Sequence, residues 1–145
     1  MKYLTTALLF LATSSLANMQ SIDGFSIDRT EVTVGQLRKF IEATGYVTTA
    51  EKRGGGLVYG TGWEQKPGWV WSAPYGTLAK PNEPAVHVTF SDSAAYCAWA
   101  GKRLPKDEEW EKAAYTEFRT NPHAPFETGV TYPYPTGNST KGANC

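Results

Sequence analysis

Cysteine and histidine are the residue types in this chain best suited to nucleophilic or metal chemistry, and both are scarce. The sequence holds two cysteines, Cys97 and Cys145, and two histidines, His87 and His123. A Cys–His pair could activate a thiolate, but no spacing in the sequence places either cysteine beside a histidine. The glycine run at 54–56 lacks the lysine and the helix start of a phosphate-binding loop, and neither Gly-x-Ser-x-Gly nor HExxH occurs. These residues by themselves therefore identify no reaction.

His87 lies in a segment whose pattern predicts a strand. Residues 85–90 alternate, with Val86, Val88 and Phe90 on one face and His87 on the other. A single histidine on a strand is more often a hydrogen-bonded packing residue than a metal ligand. We therefore predict a packing role for His87.

Residues 54–84 have little periodicity and many Gly and Pro residues, which predicts a long loop. Loops of this length in compact domains are often functional. The aromatic residues in it could stack on a ligand or plug the loop onto the core, and the second alternative is favoured; they are Trp63, Trp69, Trp71 and Tyr75.

The helices and strands that would position these side chains predict an α+β fold. Residues 25–28 alternate as a strand does, and Thr33 with Gln36 has the spacing of a capping box before a helix at 34–44. A second helix, capped by Ser91, is predicted at about 92–100 and contains Cys97. A third follows Pro105, with an apolar face of Trp110, Ala113 and Ala114. The chain after Asn121 is predicted to be irregular.

Composition narrows the class of protein. The 14 basic and 14 acidic residues give a formal net charge of zero, which argues against nucleic acid as the main partner. A hydrophobic share of 41% is typical of a globular domain, while 14 Gly, 9 Pro and 13% aromatic residues favour a loop-rich one. Residues 1–17 read as a secretory signal peptide, too short to be a transmembrane segment, so the mature domain is expected at 18–145 and is expected to be exported, either periplasmic or secreted.

Three segments resemble one protein family: Asp23–Thr48, Pro84–Pro105 and Glu108–Ala114, above all AYCAWAGKRLP leading to EEWEKAA. Together they are similar to the N-terminal half of the formylglycine-generating enzymes, also called sulfatase-modifying factor domains. The resemblance implies an irregular fold related to C-type lectins, here incomplete. Complete enzymes of this family use oxygen, and copper held by two cysteines, to oxidise a cysteine of a sulfatase to formylglycine.

The resemblance assigns few functional residues to this chain. The family's redox cysteine pair has no matching positions here, so no catalytic residue and no copper ligand are assigned. Cys97 matches a position that forms a structural disulfide with a cysteine near the end of the family domain. Asn144 and Cys145 resemble part of a structural calcium site, although a simple turn role for Asn144 is favoured. Lys106 stands where the family usually has a capping Thr.

Two functions therefore remain open. The first is the leading part of an exported protein of this family, with a sulfatase-like protein as substrate once the domain is complete. The second is a non-enzymatic, lectin-like binding module that uses the loop at 63–75 as its surface.

Overall fold

The computed structural model describes residues 18–142, which combine four short helices with two antiparallel hairpins. The expected mixture of helix and sheet is confirmed, and no helix within 18–142 is long and apolar enough to cross a membrane. The predicted signal peptide and Asn144 and Cys145 lie outside these residues. In chain order the elements are β1 (Met19–Ile22), β2 (Phe25–Asp28), α1 (Val34–Thr44), α2 (Thr49–Lys52), β3 (Gly55–Tyr59), β4 (Trp63–Pro67), α3 (Phe90–Trp99) and α4 (Asp107–Tyr115).

Helix α1 has the bounds that its sequence predicts. The Thr33 hydroxyl accepts a hydrogen bond from the Gln36 N–H, and the Gln36 side chain accepts one from the Thr33 N–H. The C-cap of the helix is Gly45, whose φ of 67° lies in the left-handed region that glycine adopts without steric cost. These local signals specify both ends of the helix without any contact to a distant segment.

The core lies between α1 and α3. Its buried side chains are Val34, Leu37, Phe40, Trp71 and Tyr96. The Phe40 and Tyr96 rings meet edge to face at 5.9 Å, a geometry that the aromatic quadrupole favours. Burial of each such side chain stabilises the fold by roughly 1.5 to 3 kcal/mol. The core is therefore built from three side chains of α1, one of α3 and Trp71 from the long central segment.

The strand predicted at 85–90 is wrong. The segment contains no strand, because His87 has a φ of 56° and Thr89 already begins the next helix. Thr89, rather than Ser91, is the N-cap of α3, and its hydroxyl accepts a hydrogen bond from the Asp92 N–H. The capping box that begins at Thr89, two residues after His87, thus overrides the alternating pattern.

The uninterrupted loop predicted at 54–84 is also wrong in part, since β3 and β4 form a hairpin within it. Gly55 and Gly56 are buried where β3 approaches Lys66 of β4 and the His87 ring. A Cβ on Gly56 would overlap that ring. Only glycine allows this close approach. The remainder of the segment is irregular, as expected.

Helix α4 begins at Asp107 as predicted, although Lys106 supplies no side-chain cap. The Glu109 carboxylate instead accepts a hydrogen bond from the Lys106 N–H at 2.8 Å. None of the nine residues of α4 is buried, and Trp110 is 53% exposed. The predicted apolar face therefore exists but is left largely uncovered by residues 18–142.

Candidate functional site

A groove of about 940 Å³ runs along β2. One wall is β2 with the segment up to Val32, and the opposite wall is the end of α3 with residues 101–105. Trp110 of α4 and Cys97 of α3 also line it. The groove therefore brings together residues of all three segments that carry the family resemblance.

An ion pair joins the two walls. The Lys102 ammonium donates hydrogen bonds of 2.7 and 2.8 Å to the two carboxylate oxygens of Asp28. Lys102 reaches this position because α3 ends in a turn at Gly101, with a φ of 69°, and the Lys102 N–H then binds the Cys97 carbonyl at 2.7 Å. Both side chains are partly shielded from water, so this pair is worth more than an exposed one.

The Cys97 thiol is held in its neutral form. Burial raises the pKa of Cys97, the nearby Lys102 ammonium lowers it, and the Asp28 carboxylate raises it again, with a net increase. Because the thiolate is the reactive form, such a cysteine is a poor nucleophile near neutral pH. Cys97 forms no disulfide with any residue in 18–142, and the structural pairing implied by the resemblance stays a prediction.

Alkylation by iodoacetamide tests this environment directly. In a Cys145→Ser variant at pH 8, we expect Cys97 of the folded chain to react at least several-fold more slowly than the same chain in urea, because its pKa is raised and its access restricted. Mass spectrometry of the alkylated chain gives the rate. Equal rates in the folded and unfolded chains would contradict the assigned environment.

A buried carboxylate in the first turn of α3 joins two segments of the chain, 46–49 and 89–92. Asp92 is 1% exposed and accepts hydrogen bonds from the Thr89 N–H at 2.8 Å, the Tyr46 hydroxyl at 2.9 Å and the Thr49 N–H at 3.1 Å. Burial alone would raise the pKa of Asp92, but the hydrogen bonds from Thr89, Tyr46 and Thr49 outweigh it and lower the pKa. Asp92 is thus ionised and structural.

Sequence analysis missed both Asp92 and its counterpart Glu51. Glu51 accepts hydrogen bonds from the Thr48 N–H at 2.7 Å and from the indole N–H of Trp71 at 3.1 Å. The signal was present in each case, since Thr followed three residues later by Asp or Glu is a capping box. What the spacing does not show is the distant partner that each carboxylate also binds.

A smaller cavity of about 320 Å³ lies between β1 and the chain after α4. Glu117 is 8% exposed there, and hydrogen bonds from Arg119 lower the pKa of the carboxyl to about 2. Phe126 and Tyr132 close the cavity on its aromatic side. Because Arg119 donates hydrogen bonds to the Glu117 carboxylate, we assign this cluster a structural role in ordering the irregular chain after α4 and not a role as a general acid.

The structure buries some of the histidine and aromatic side chains that the sequence pointed to and leaves others exposed. His87 donates a 2.9 Å hydrogen bond from Nε2 to the Pro74 carbonyl and packs near Trp69, which confirms its packing role. Trp71 is buried in the core, as predicted. Trp63 and Tyr75 are 70% and 71% exposed, so the prediction that they pack onto the core is wrong.

The described residues do not fit the copper site of the complete enzymes. Within 18–142 the only cysteine is Cys97, and no cluster of three potential metal-ligating His, Cys, Asp or Glu side chains occurs there. No step can therefore be derived through copper. The calcium assignment to Asn144 and Cys145 lies outside the described residues and remains a prediction.

Comparison with known proteins identifies the relatives of this chain. The model of the sulfatase-modifying factor enzyme 1-like domain matches residues 12–144. A formylglycine-generating enzyme of Thermomonospora curvata is 42% identical over 111 residues, which cover 62% of this chain and 37% of that protein. The Bos taurus formylglycine-generating enzyme is 38% identical, over 66% of this chain and 31% of its own length. An inactive C-alpha-formylglycine-generating enzyme 2 of Mus musculus is 34% identical, over 65% of this chain and 37% of its own length. The chain thus spans about a third of the length of these relatives.

Proposed function

Because the chain belongs to the sulfatase-modifying factor enzyme 1-like family, we propose that it is the N-terminal part of an exported formylglycine-generating-type protein. The complete domain would oxidise a cysteine of a sulfatase-like protein substrate to formylglycine with molecular oxygen. Residues 18–145 would adopt part of a C-type-lectin-like fold, following a signal peptide at 1–17. The catalytic half of the domain would be contributed by sequence that this chain does not contain.

The single observation that carries this proposal is the open groove along β2. It is built from the segments that resemble the family, yet its one thiol has a raised pKa and no second thiol lies within 18–142. Such a groove can bind and support a polypeptide but cannot hold a dithiolate copper centre. The role we propose for these residues is therefore to form the scaffold against which the catalytic half is positioned.

An oxygen-consumption assay tests the proposal. The purified chain, supplied with copper and a sulfatase-derived cysteine peptide, is expected to give a rate equal to that of buffer with copper. The physical reason is the absence of a second thiolate within the described residues. The T. curvata enzyme serves as the positive control. Formylglycine formed by this chain alone would overturn the assignment.

A non-enzymatic binding module is the alternative, and a specific observation favours it. Tyr59 and Trp63 meet edge to face at 5.3 Å at the tip of the β3–β4 hairpin, and each is 70% exposed. Exposed aromatic pairs of this kind are typical of binding surfaces. One of the relatives is itself named as inactive.

The intact mass of the protein from its native source distinguishes the two functions and tests export. We expect a mass clearly larger than that of residues 18–145, with tryptic peptides that begin after the signal sequence and extend past Cys145. A mass close to that of residues 18–145 would instead favour the binding module. Retention of residues 1–17 would contradict the proposed export.

A further inference from the structure

One face of the β3–β4 hairpin is left uncovered by the rest of residues 18–142. The register pairs Tyr59 with Trp63, and Leu57 lies two residues before Tyr59, so all three side chains share that face. All three are exposed. The opposite face packs inward, because Gly56 lies against the His87 ring. The hairpin therefore presents its apolar face to solvent.

The hairpin tip, which consists of Tyr59, the turn at 60–62 and Trp63, projects from the body of the domain. At Gly60 and Gly62, an added Cβ would meet no atom of residues 18–142 within 4 Å, apart from the glycine and its two chain neighbours. The two rings flank this turn and meet edge to face at 5.3 Å. The tip is therefore a convex apolar surface and not a pocket.

The segment that carries the hairpin is basic, although the whole chain has a formal net charge of zero. Residues 52–67 contain three basic residues and one acidic residue, a formal net charge of +2. The Lys66 ammonium and the Glu64 carboxylate neutralise each other in an ion pair of 2.7 Å. Lys52 and Arg53 are exposed beside the base of the hairpin, and neither forms an ion pair within 18–142. The positive charge thus lies at the base and the aromatic rings at the tip.

This spacing matches the surface of a lipid bilayer. About 13 Å of strand separates Gly55, at the base, from Tyr59 at the tip. Peripheral segments bury their apolar side chains by roughly 5 to 10 Å at the boundary between headgroups and acyl chains. Tyr and Trp favour this boundary because their rings are apolar and each carries one polar group. With the rings at that depth, Arg53 would lie at the level of the lipid phosphates.

We propose that the hairpin tip docks on an anionic lipid surface, with Tyr59 and Trp63 among the headgroups and Lys52 and Arg53 facing the lipid phosphates. A second copy of this chain is a poorer partner. The two rings can bury roughly 300 to 500 Å², whereas a stable protein interface needs about 800 Å² on each side. A fluid bilayer surrounds a convex tip without needing a complementary surface.

This surface is separate from the site of the proposed function. No residue of β3 or β4 lines the groove along β2, and the hairpin lies between the segments that carry the family resemblance. Docking on lipid therefore goes beyond the proposed oxidation and does not depend on it. It also gives the exposed aromatic pair a partner of defined chemistry.

Sedimentation with large vesicles tests the proposal. The purified mature chain is mixed with vesicles of phosphatidylcholine, or with vesicles in which a third of this lipid is replaced by phosphatidylglycerol. Tyr59→Ser changes the tip, and Tyr75→Ser is the matched control. Tyr59 and Tyr75 are 70% and 71% exposed, and each meets a tryptophan edge to face, but Tyr75 lies outside the hairpin. A double variant, Lys52→Gln with Arg53→Gln, tests the base.

We expect the chain to sediment with the anionic vesicles and to be released by high salt, which screens the attraction. Tyr59→Ser should weaken this binding at least fivefold, and Tyr75→Ser less than twofold. The double variant should weaken it by roughly tenfold or more, since each basic residue near an anionic surface contributes about fivefold. Urea unfolding confirms that each variant is folded, as expected for substitutions of exposed side chains.

No binding to the anionic vesicles, or an equal loss for Tyr59→Ser and Tyr75→Ser, would overturn the inference. A dimer in analytical ultracentrifugation that Tyr59→Ser abolishes, without vesicle binding, would also overturn it and assign the tip to a second copy. None of these measurements depends on turnover. Failure of the proposed oxidation would therefore leave the inference standing, and its own failure would leave the proposed oxidation standing.

Discussion

Replacement of Asp92 with alanine should lower the free energy of unfolding by about 3 to 4 kcal/mol. The carboxylate is 1% exposed and accepts hydrogen bonds from Thr89, Tyr46 and Thr49. Its removal leaves those donors unsatisfied and also removes the capping box of α3. Urea unfolding followed by tryptophan fluorescence measures the loss, and Asp107→Ala, at an exposed position of α4, is the control, with little expected change.

The pH dependence of a second variant, Asp92→Asn, gives a further check. Since the pKa of folded Asp92 lies below its ordinary value of 3.8, ionised Asp92 stabilises the fold fully above that value. This contribution is lost as the pH falls from 3.8 through the lower pKa of the folded state. The difference in stability between wild type and Asp92→Asn should therefore shrink as the solution is acidified below that pH. A difference that grows on acidification would show that the sign is wrong.

Replacement of Gly55 with alanine should cost about 3 kcal/mol of stability. Gly55 is buried at the start of β3, and an added Cβ would overlap the carbonyl oxygen of Lys66 on β4. Since the obstacle is backbone rather than the end of a flexible side chain, the two strands would have to separate. We expect faster hydrogen exchange of the β3–β4 amides and a lower midpoint of urea unfolding.

Gly60→Ala in the turn of the same hairpin is the matched control. Apart from Gly60 itself and its two chain neighbours, no atom of the described structure lies within 4 Å of the position that a Cβ on Gly60 would take, so a change within about 0.5 kcal/mol is expected. If Gly55→Ala were tolerated as well as Gly60→Ala, the close approach of β3 to Lys66 would be refuted.

The helices were the most predictable part of the fold. The bounds of α1 follow from Thr33, Gln36 and Gly45, which act on neighbouring backbone groups. The start of α4 after Pro105 follows in the same way. The prediction of a strand at 85–90 was wrong because the alternating pattern competes with the Thr89 cap. It also competes with the hydrogen bond between His87 and Pro74, which are 13 residues apart.

The candidate site was less predictable than the elements that form it. Cys97 was recognised from sequence, but the pairing of Asp28 with Lys102 across 74 residues was not. The direction in which the N–H and C=O groups of Ser26 point also depends on the register between β2 and β1. A strand pattern of four residues leaves that register open. Both features arise only when distant segments come into contact.

The sequence by itself determined the family resemblance, both ends of α1, the start of α4 and the β2 strand, because each is encoded in residues a few positions apart. Tertiary structure alone decided that Asp92 joins the start of α3 to residues 46–49, that Gly55 and Gly56 allow a hairpin inside the apparent loop, and that a groove runs along β2. The physical reason is that capping and helical periodicity act within one or two turns. Burial of a charge and exposure of a strand edge depend on which distant segments pack together and which surfaces they leave uncovered.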